Sequence, residues 1–126
     1  MLTDIDEDLQ KQEEITQRLK RYVWRETIEP LISDDLVAEH RRDPLGLHSV
    51  HLDMVLTFLR DDPVPSEPRL VIVIVEPETS WCIGEFSREP GTVVYCRPTL
   101  FFSVEQIEHA IFLERLELVR RAYAHC

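Results

Sequence analysis

Glycine is scarce in this chain: Gly46, Gly84 and Gly91 are the only three among 126 residues. Phosphate-cradling loops of the G-x-G-x-x-G or Walker A type gather several glycines in one turn, so that chemistry is excluded. Cysteine is equally sparse. Cys82, Cys96 and Cys126 are odd in number and far apart, without a C-x-x-C spacing. That usage suits reduced thiols in a cytoplasmic protein rather than a disulfide framework or a zinc site. Cys82 and Cys96 can meet across neighbouring strands, but no Lys or His cluster flanks either thiol to activate it. Basic residues are outnumbered, 14 Lys and Arg against 24 Asp and Glu, for a net charge of −10. Nucleic acid and anionic membrane both select basic stripes, so neither is an expected partner. No apolar run reaches the roughly 18 residues of a membrane span, and the first residues lack the basic-then-apolar pattern of a secretory signal. No G-x-S-x-G or H-E-x-x-H occurs, and no His is placed by motif to activate a Ser or Cys. No catalytic residue and no metal ligand is assigned.

What the chain does have is Arg69-Leu70-Val71-Ile72-Val73-Ile74-Val75-Glu76, six consecutive apolar residues, mostly β-branched, between charges. Its length, its Val/Ile content and the Pro-containing boundaries predict a strand rather than a buried helix. A half-covered strand alternates apolar with polar; this one is apolar on both faces and is expected to be covered on both. The cover must come from helices of this chain, from a partner, or from both.

The rest of the chain is read around that strand. Ile5, Leu9, Ile15, Leu19, Tyr22 and Val23 recur at helical spacing among charged residues, which predicts a helix over about 6–28 ended by Glu29-Pro30. Its narrow apolar stripe suits one seam, and its acidic start is either a solvated terminus or a docking arm. Ser33 caps a second helix over 34–42, with Asp34 and Asp35 in its first turn. After the Asp43-Pro44-Leu45-Gly46 turn, a third helix spans about 49–60 with Leu52, Val55, Leu56 and Leu59 on one face. Glu76-Pro77-Glu78-Thr79 and Glu89-Pro90-Gly91-Thr92 are turn signatures, so strands over 80–87 and 92–97 complete an antiparallel meander. Ser103-Val104-Glu105-Gln106 is a capping box opening a last helix over about 104–122. Ile107, Ile111, Leu118 and Ala122 form one stripe on it, and Phe112, Leu116, Val119 and Tyr123 an adjacent one. The expected fold is α+β: N-terminal helices, a three-stranded antiparallel meander and a long C-terminal helix packed on the sheet. Residues 1–30 are read as an acidic helix and 31–126 as a small α+β domain, one globular unit overall.

Three further features bear on function. His48, His51 and Asp53, with His40 upstream, resemble a metal-ligand set, but His48 precedes the helix and no third strong ligand has diagnostic spacing. They are read as surface or rim histidines. Glu108 and Arg115 fall inside the apolar arc of the last helix, where an unpaired charge costs several kcal/mol, roughly 3–5. Each is expected to find a partner, either within the chain or on another subunit. Trp24 and Trp81 suit a core or an interface anchor equally.

From about Glu39 to Arg120 the chain resembles the small (alpha) subunit of N,N-dimethylformamidase. The matching pieces come in the same order: the Asp43-Pro44-Leu45-Gly46-Leu47-His48 turn, the strand through Val75 followed by Trp81 and Ile83-Gly84, and Ser103 through Arg115. That last segment is similar to a family stretch containing His-Ala-Val-Phe-Leu-x-Arg. Leu45 and Leu47 stand where the family pattern has aromatic residues. The resemblance implies a non-catalytic subunit bound to a large subunit, whose mononuclear iron activates water to hydrolyse N-substituted formamides to formate and an amine. It implies no cofactor on this chain and iron on the large partner. The partner-interface candidates are then Trp81, Phe101, Phe102, Phe112 and Arg115. A second function class fits the same residues, a free-standing acidic protein-binding module such as an inhibitor, immunity or ligand-sensing protein.

Overall fold

In a computed structural model, which describes residues 3–61, 63–65, 67–87 and 94–124, the chain is α+β as expected. Helix α1 runs Thr3–Val23, α2 Asp34–Arg42, α3 Val50–Arg60 and α4 Val104–Tyr123; strands are β1 Arg69–Glu76, β2 Ser80–Phe86 and β3 Tyr95–Cys96. Three of the four helices start where a serine can cap them. Ser33 Oγ accepts from Leu36 N at 3.2 Å, Ser49 Oγ from Leu52 N at 3.3 Å and Ser103 Oγ from Gln106 N at 3.3 Å, each satisfying one of the orphan amides of a first turn.

The first helix does not stop cleanly at proline. Its α-helical part ends at Val23, a π-turn follows over Trp24–Ile28, and one 3-10 turn over Glu29–Leu31 carries Pro30. Pro30 has no N–H to give to the preceding turn. The amide of Glu29 reaches back five residues to the Trp24 carbonyl instead, and the widened turn keeps Trp24 and Ile28 in the core.

The sheet is antiparallel in the order β1-β2-β3, so the expected meander is present, but β1 is an edge strand and β2 is the middle one. At the first connection Thr79 N–H donates to the Glu76 carbonyl at 3.0 Å with Pro77 in the second position. Glu78 takes the third position at φ 62°, the left-handed value of a type II turn. The Glu89–Thr92 turn lies outside the described residues. Beyond β3 the second edge of β2 is paired again, Trp81 and Phe101 exchanging backbone hydrogen bonds of 2.9 and 2.7 Å.

Helix α4 holds the fold together by facing two ways. Phe112, Leu116, Val119 and Tyr123 pack with Trp24, Ile28, Leu36, Leu52, Val55 and Leu59 in a helical core. Ile107 and Ile111 pack with Leu70 and Ile83 of the sheet. The two stripes read from the sequence are thus two separate cores back to back. Leu118, half-buried, and Ala122, exposed, join neither. Trp24 belongs to the core, stacked on Phe58 with ring centroids 5.8 Å apart. Tyr123 Oη donates to the Pro63 carbonyl at 2.6 Å, fastening the proline-rich loop to the end of α4.

Coverage of β1 departs from expectation. Leu70 is buried and Ile72 half-buried against α4, whereas Ile74 is 64 % exposed and Val75 47 %. The register pairs Val71 with Gly84 and Val73 with Cys82 on the opposite face, and α4 is the helix that packs against the sheet. The second face carries Val71, Val73 and Val94, each half-buried. These valines close over Gly84, where an added Cβ would lie 2.7 Å from Val73 Cγ2 and from Val94 Cγ1.

Two substitutions test this sheet. Gly84→Ala inserts a methyl into that closed space and is expected to cost about 1–3 kcal/mol, read as a lower denaturation midpoint. An unchanged midpoint would show that the valines give way freely. Glu78→Gly removes the left-handed strain of the turn and is expected to raise the midpoint by up to about 1 kcal/mol.

Candidate functional site

The histidines do not assemble as a metal site. His48 Nε2 lies 2.8 Å from the Asp43 carbonyl, while His51 and Asp53 are exposed on α3. No group of three or more potential ligand side chains converges among the described residues. His40 is the exception to a surface or rim reading: it is only 3 % exposed. Its ring stacks on Phe112 at 4.0 Å between centroids, and its Nδ1 meets His109 Nδ1 at 2.8 Å. The pair joins α2 to α4 across 69 residues of sequence. One imidazole must donate and the other accept. His109 Nε2 is buried without a partner, so donation from His109 leaves only a bare acceptor buried, which costs less than a stranded N–H.

Glu39, beside His40 in sequence, accepts from both the amide and the hydroxyl of Ser49 at 2.7 Å. Those bonds, the amide one first, hold the Glu39 carboxyl below its usual range. The sequence reading also missed Arg97. Its Nε donates to Glu85 at 2.9 Å and its Nη1 to both carboxylate oxygens of Glu114 at 2.8 Å. With its own amide bonded to the Ile83 carbonyl, Arg97 ties the end of β3 to β2 and α4. Neither partner stands at a local spacing from Arg97, so no sequence motif announces the clamp.

Nucleophilic chemistry is not favoured here. Burial, with Cys96 beside it, pushes the Cys82 thiol up, opposite to the shift that makes a reactive thiolate. An open cleft of about 340 Å³ lies between α3, β1 and α4, lined in part by Leu59, Arg60, Leu70, Arg115 and Val119. Its lining mixes apolar side chains with Arg60, Glu67, Arg69 and Arg115, and it brings together no nucleophile and base.

The candidate interface residues fall in three places. Trp81 and Phe101 are half-buried partners in the backbone bridge beside the sheet core, and Phe102 next to them is 69 % exposed. Phe112 is buried, its ring occupied by His40 and the helical core. Arg115 is half-buried and donates from Nη2 to the Leu70 carbonyl at 3.1 Å, so it meets an intrachain partner. Phe86 and Tyr95 add exposed aromatic surface at the sheet.

The buried histidine pair makes stability depend on pH. Burial, then the neighbouring His109 and His48, lowers His40 from 6.5 to about 4; burial and then Arg41 lower His109. The unfolded chain takes up the proton first, so the contribution is complete above the unfolded value of 6.5 and is lost as pH falls towards about 4. For His40 it amounts to about 3 kcal/mol. Denaturation midpoints measured across this window are expected to fall with acid, and less steeply in His40→Leu. Equal slopes in the two proteins would show that His40 is not the group responsible.

Comparison with known proteins places these features. No curated protein matches the chain. Residues 14–125 match the model of the family described as the N,N-dimethylformamidase alpha subunit. That span takes in all of α2, α3, α4 and the sheet, together with the second half of α1 and the π-turn that enters the core. The chain belongs to the N,N-dimethylformamidase alpha-subunit family.

Proposed function

We propose that this chain is a non-catalytic subunit of an amide-hydrolysing hetero-oligomer, docking on and stabilising a larger catalytic chain. The observation that carries the reading is the sheet: one face packs against α4, while the other presents half-buried valines, ending in exposed Val75 and Phe86. An apolar face of this kind is what an obligate subunit contact buries. The alpha-subunit family supports the same reading, since an alpha subunit assembles with others.

In this proposal exposed Phe102 anchors the contact, Trp81 and Phe101 border it from the α4 face of the sheet, and Phe112 acts from within the core by fixing α4. Arg115 borders the contact while bonded to β1. The metal, iron in our reading, and the water it activates belong to the large chain. Amide C–N cleavage to formate and an amine then takes place there, and this chain keeps the large chain folded around it. The location that goes with this reading is the cytoplasm; among the described residues no helix is long and apolar enough to cross a membrane.

Native mass spectrometry of the protein purified from its own host, with iron quantified in the same sample, tests the assembly. A complex with a much larger chain that holds the iron is expected. A stable small protein with no large partner would overturn the reading in favour of a free-standing binding module. Within the complex, Phe102→Asp is expected to weaken association about tenfold or more, and Arg115→Ala less than that. Titration of each variant against the large chain measures both. Unchanged affinity for Phe102→Asp would remove this corner from the interface.

A further inference from the structure

Helix α1 is the part of the chain that neither core accounts for. Ile5, Leu9, Ile15, Leu19 and Tyr22 are each 55–64 % exposed on it. The helix has 21 residues, about 31 Å of length, and enters the body only where its π-turn brings in Trp24 and Ile28. Lys20 Nζ, donating to the Asp61 carbonyl at 3.2 Å, and Arg21, over the Tyr123 ring at 5.7 Å, hold its last turn against the body. The match to the family begins at residue 14, so its first half lies outside the matched span.

The exposed residues are not scattered. Ile5, Leu9, Gln12, Thr16, Leu19 and Val23 follow one another at alternating steps of four and three. That is the 3.5-residue period of a two-stranded coiled-coil seam, with Ile15 and Tyr22 flanking it. The charges are divided along the same helix. Asp6, Glu7, Asp8, Glu13 and Glu14 fill the first half against a lone Lys11, whereas Arg18, Lys20, Arg21 and Arg25 occupy the second half and the π-turn.

We propose that α1 pairs antiparallel with α1 of a second copy of this chain, about a two-fold axis near its middle. The charge division selects both the occupant and the direction. Antiparallel pairing sets the acidic half of each helix beside the basic half of the other; parallel pairing sets acid against acid. A helix complementary to its own reverse is what an isologous two-fold contact requires. The layers then match. Ile5 faces Val23 of the second copy, Leu9 faces Leu19, and Gln12 faces Thr16. The central polar layer costs stability and fixes register. Glu13 approaches its own copy near the axis, an unfavourable contact that the end-to-end charge complement outweighs. Anchoring at Trp24 and Ile28 supplies the helix nucleus that a free peptide of this length lacks. This inference is independent of docking on a larger chain, because it uses a different surface.

Analytical ultracentrifugation of the full chain, alone and in complex with its large partner, tests it. A concentration-dependent dimer of the isolated chain is expected, weakened by salt. Leu9→Glu and Leu19→Glu are each expected to weaken it by about a hundredfold or more, with Trp24 fluorescence unchanged as the sign of an intact core. Direction is read by mixing Leu9→Cys and Leu19→Cys chains, both carrying Cys96→Ser and Cys126→Ser. Mixed disulfides between the two are expected to dominate. Same-site disulfides would mean parallel pairing and overturn the proposal, as would a monomer at every concentration or a dimer untouched by both glutamates. If Leu9→Glu instead abolishes capture of the large chain, α1 is a docking arm for that chain and homotypic pairing is wrong. Loss of the dimer with capture of the large chain retained supports pairing and leaves the subunit reading standing.

Discussion

The fold depends on α4 having two apolar stripes rather than one. A helix buried along a single face can cap a sheet or join a bundle. By turning Ile107 and Ile111 to the sheet and Phe112, Leu116, Val119 and Tyr123 to the other helices, α4 does both. Neither core is large, and each buries its surface only because the other holds α4 in place. The polar ties across this helix follow the same logic. His109 reaches α2, Glu114 takes the guanidinium of Arg97 from the sheet side, and Arg115 reaches β1. Each of these three groups thereby gains a partner outside α4, which fixes the rotation of the helix as well as its position.

Much of this was legible in the sequence because it is local. Ser33, Ser49 and Ser103 mark helix starts by a hydrogen bond that needs only the next three residues. Pro77 sets its turn by a fixed φ, and the two stripes of α4 follow from 3.6-residue spacing. The run from Leu70 to Val75 was read correctly as a strand, and the turn signatures after it as a meander, but its two-sided cover was not met. Apolar residues on both faces say that a strand expects cover, and say nothing of whether its edges are paired. The strand proves to be at the edge of the sheet, with Ile74 and Val75 exposed among the described residues.

What could not be read were contacts between groups far apart in sequence. His40 looked like the outlying member of a surface cluster with His48 and His51, yet its real partner is His109 on α4. Arg97 stands in a loop with no neighbouring acid, and its two carboxylates come from β2 and α4. The π-turn at Trp24 was hidden for another reason. Proline announces that a helix must change, but how the preceding turn changes depends on the core that Trp24 and Ile28 enter. The interface candidates show both cases: exposed Phe102 stands just before α4, whereas Phe112, the same residue type, lies on the core face of that helix.

An edge strand of six consecutive branched or large apolar residues is the composition of a cross-β segment, and an open edge is where such a segment recruits another copy of itself. Here the carbonyl of Leu70 already accepts from Arg115, so it points away from β2. A charged side chain from α4 thus occupies the first outward acceptor of the strand, and Arg69 and Glu76 bound the run at either end. A foreign strand adding there would have to displace the guanidinium from that carbonyl. The bond that fastens α4 to the sheet is therefore also a guard against fibril growth. It lets the chain keep an exceptionally β-prone sequence at an exposed edge.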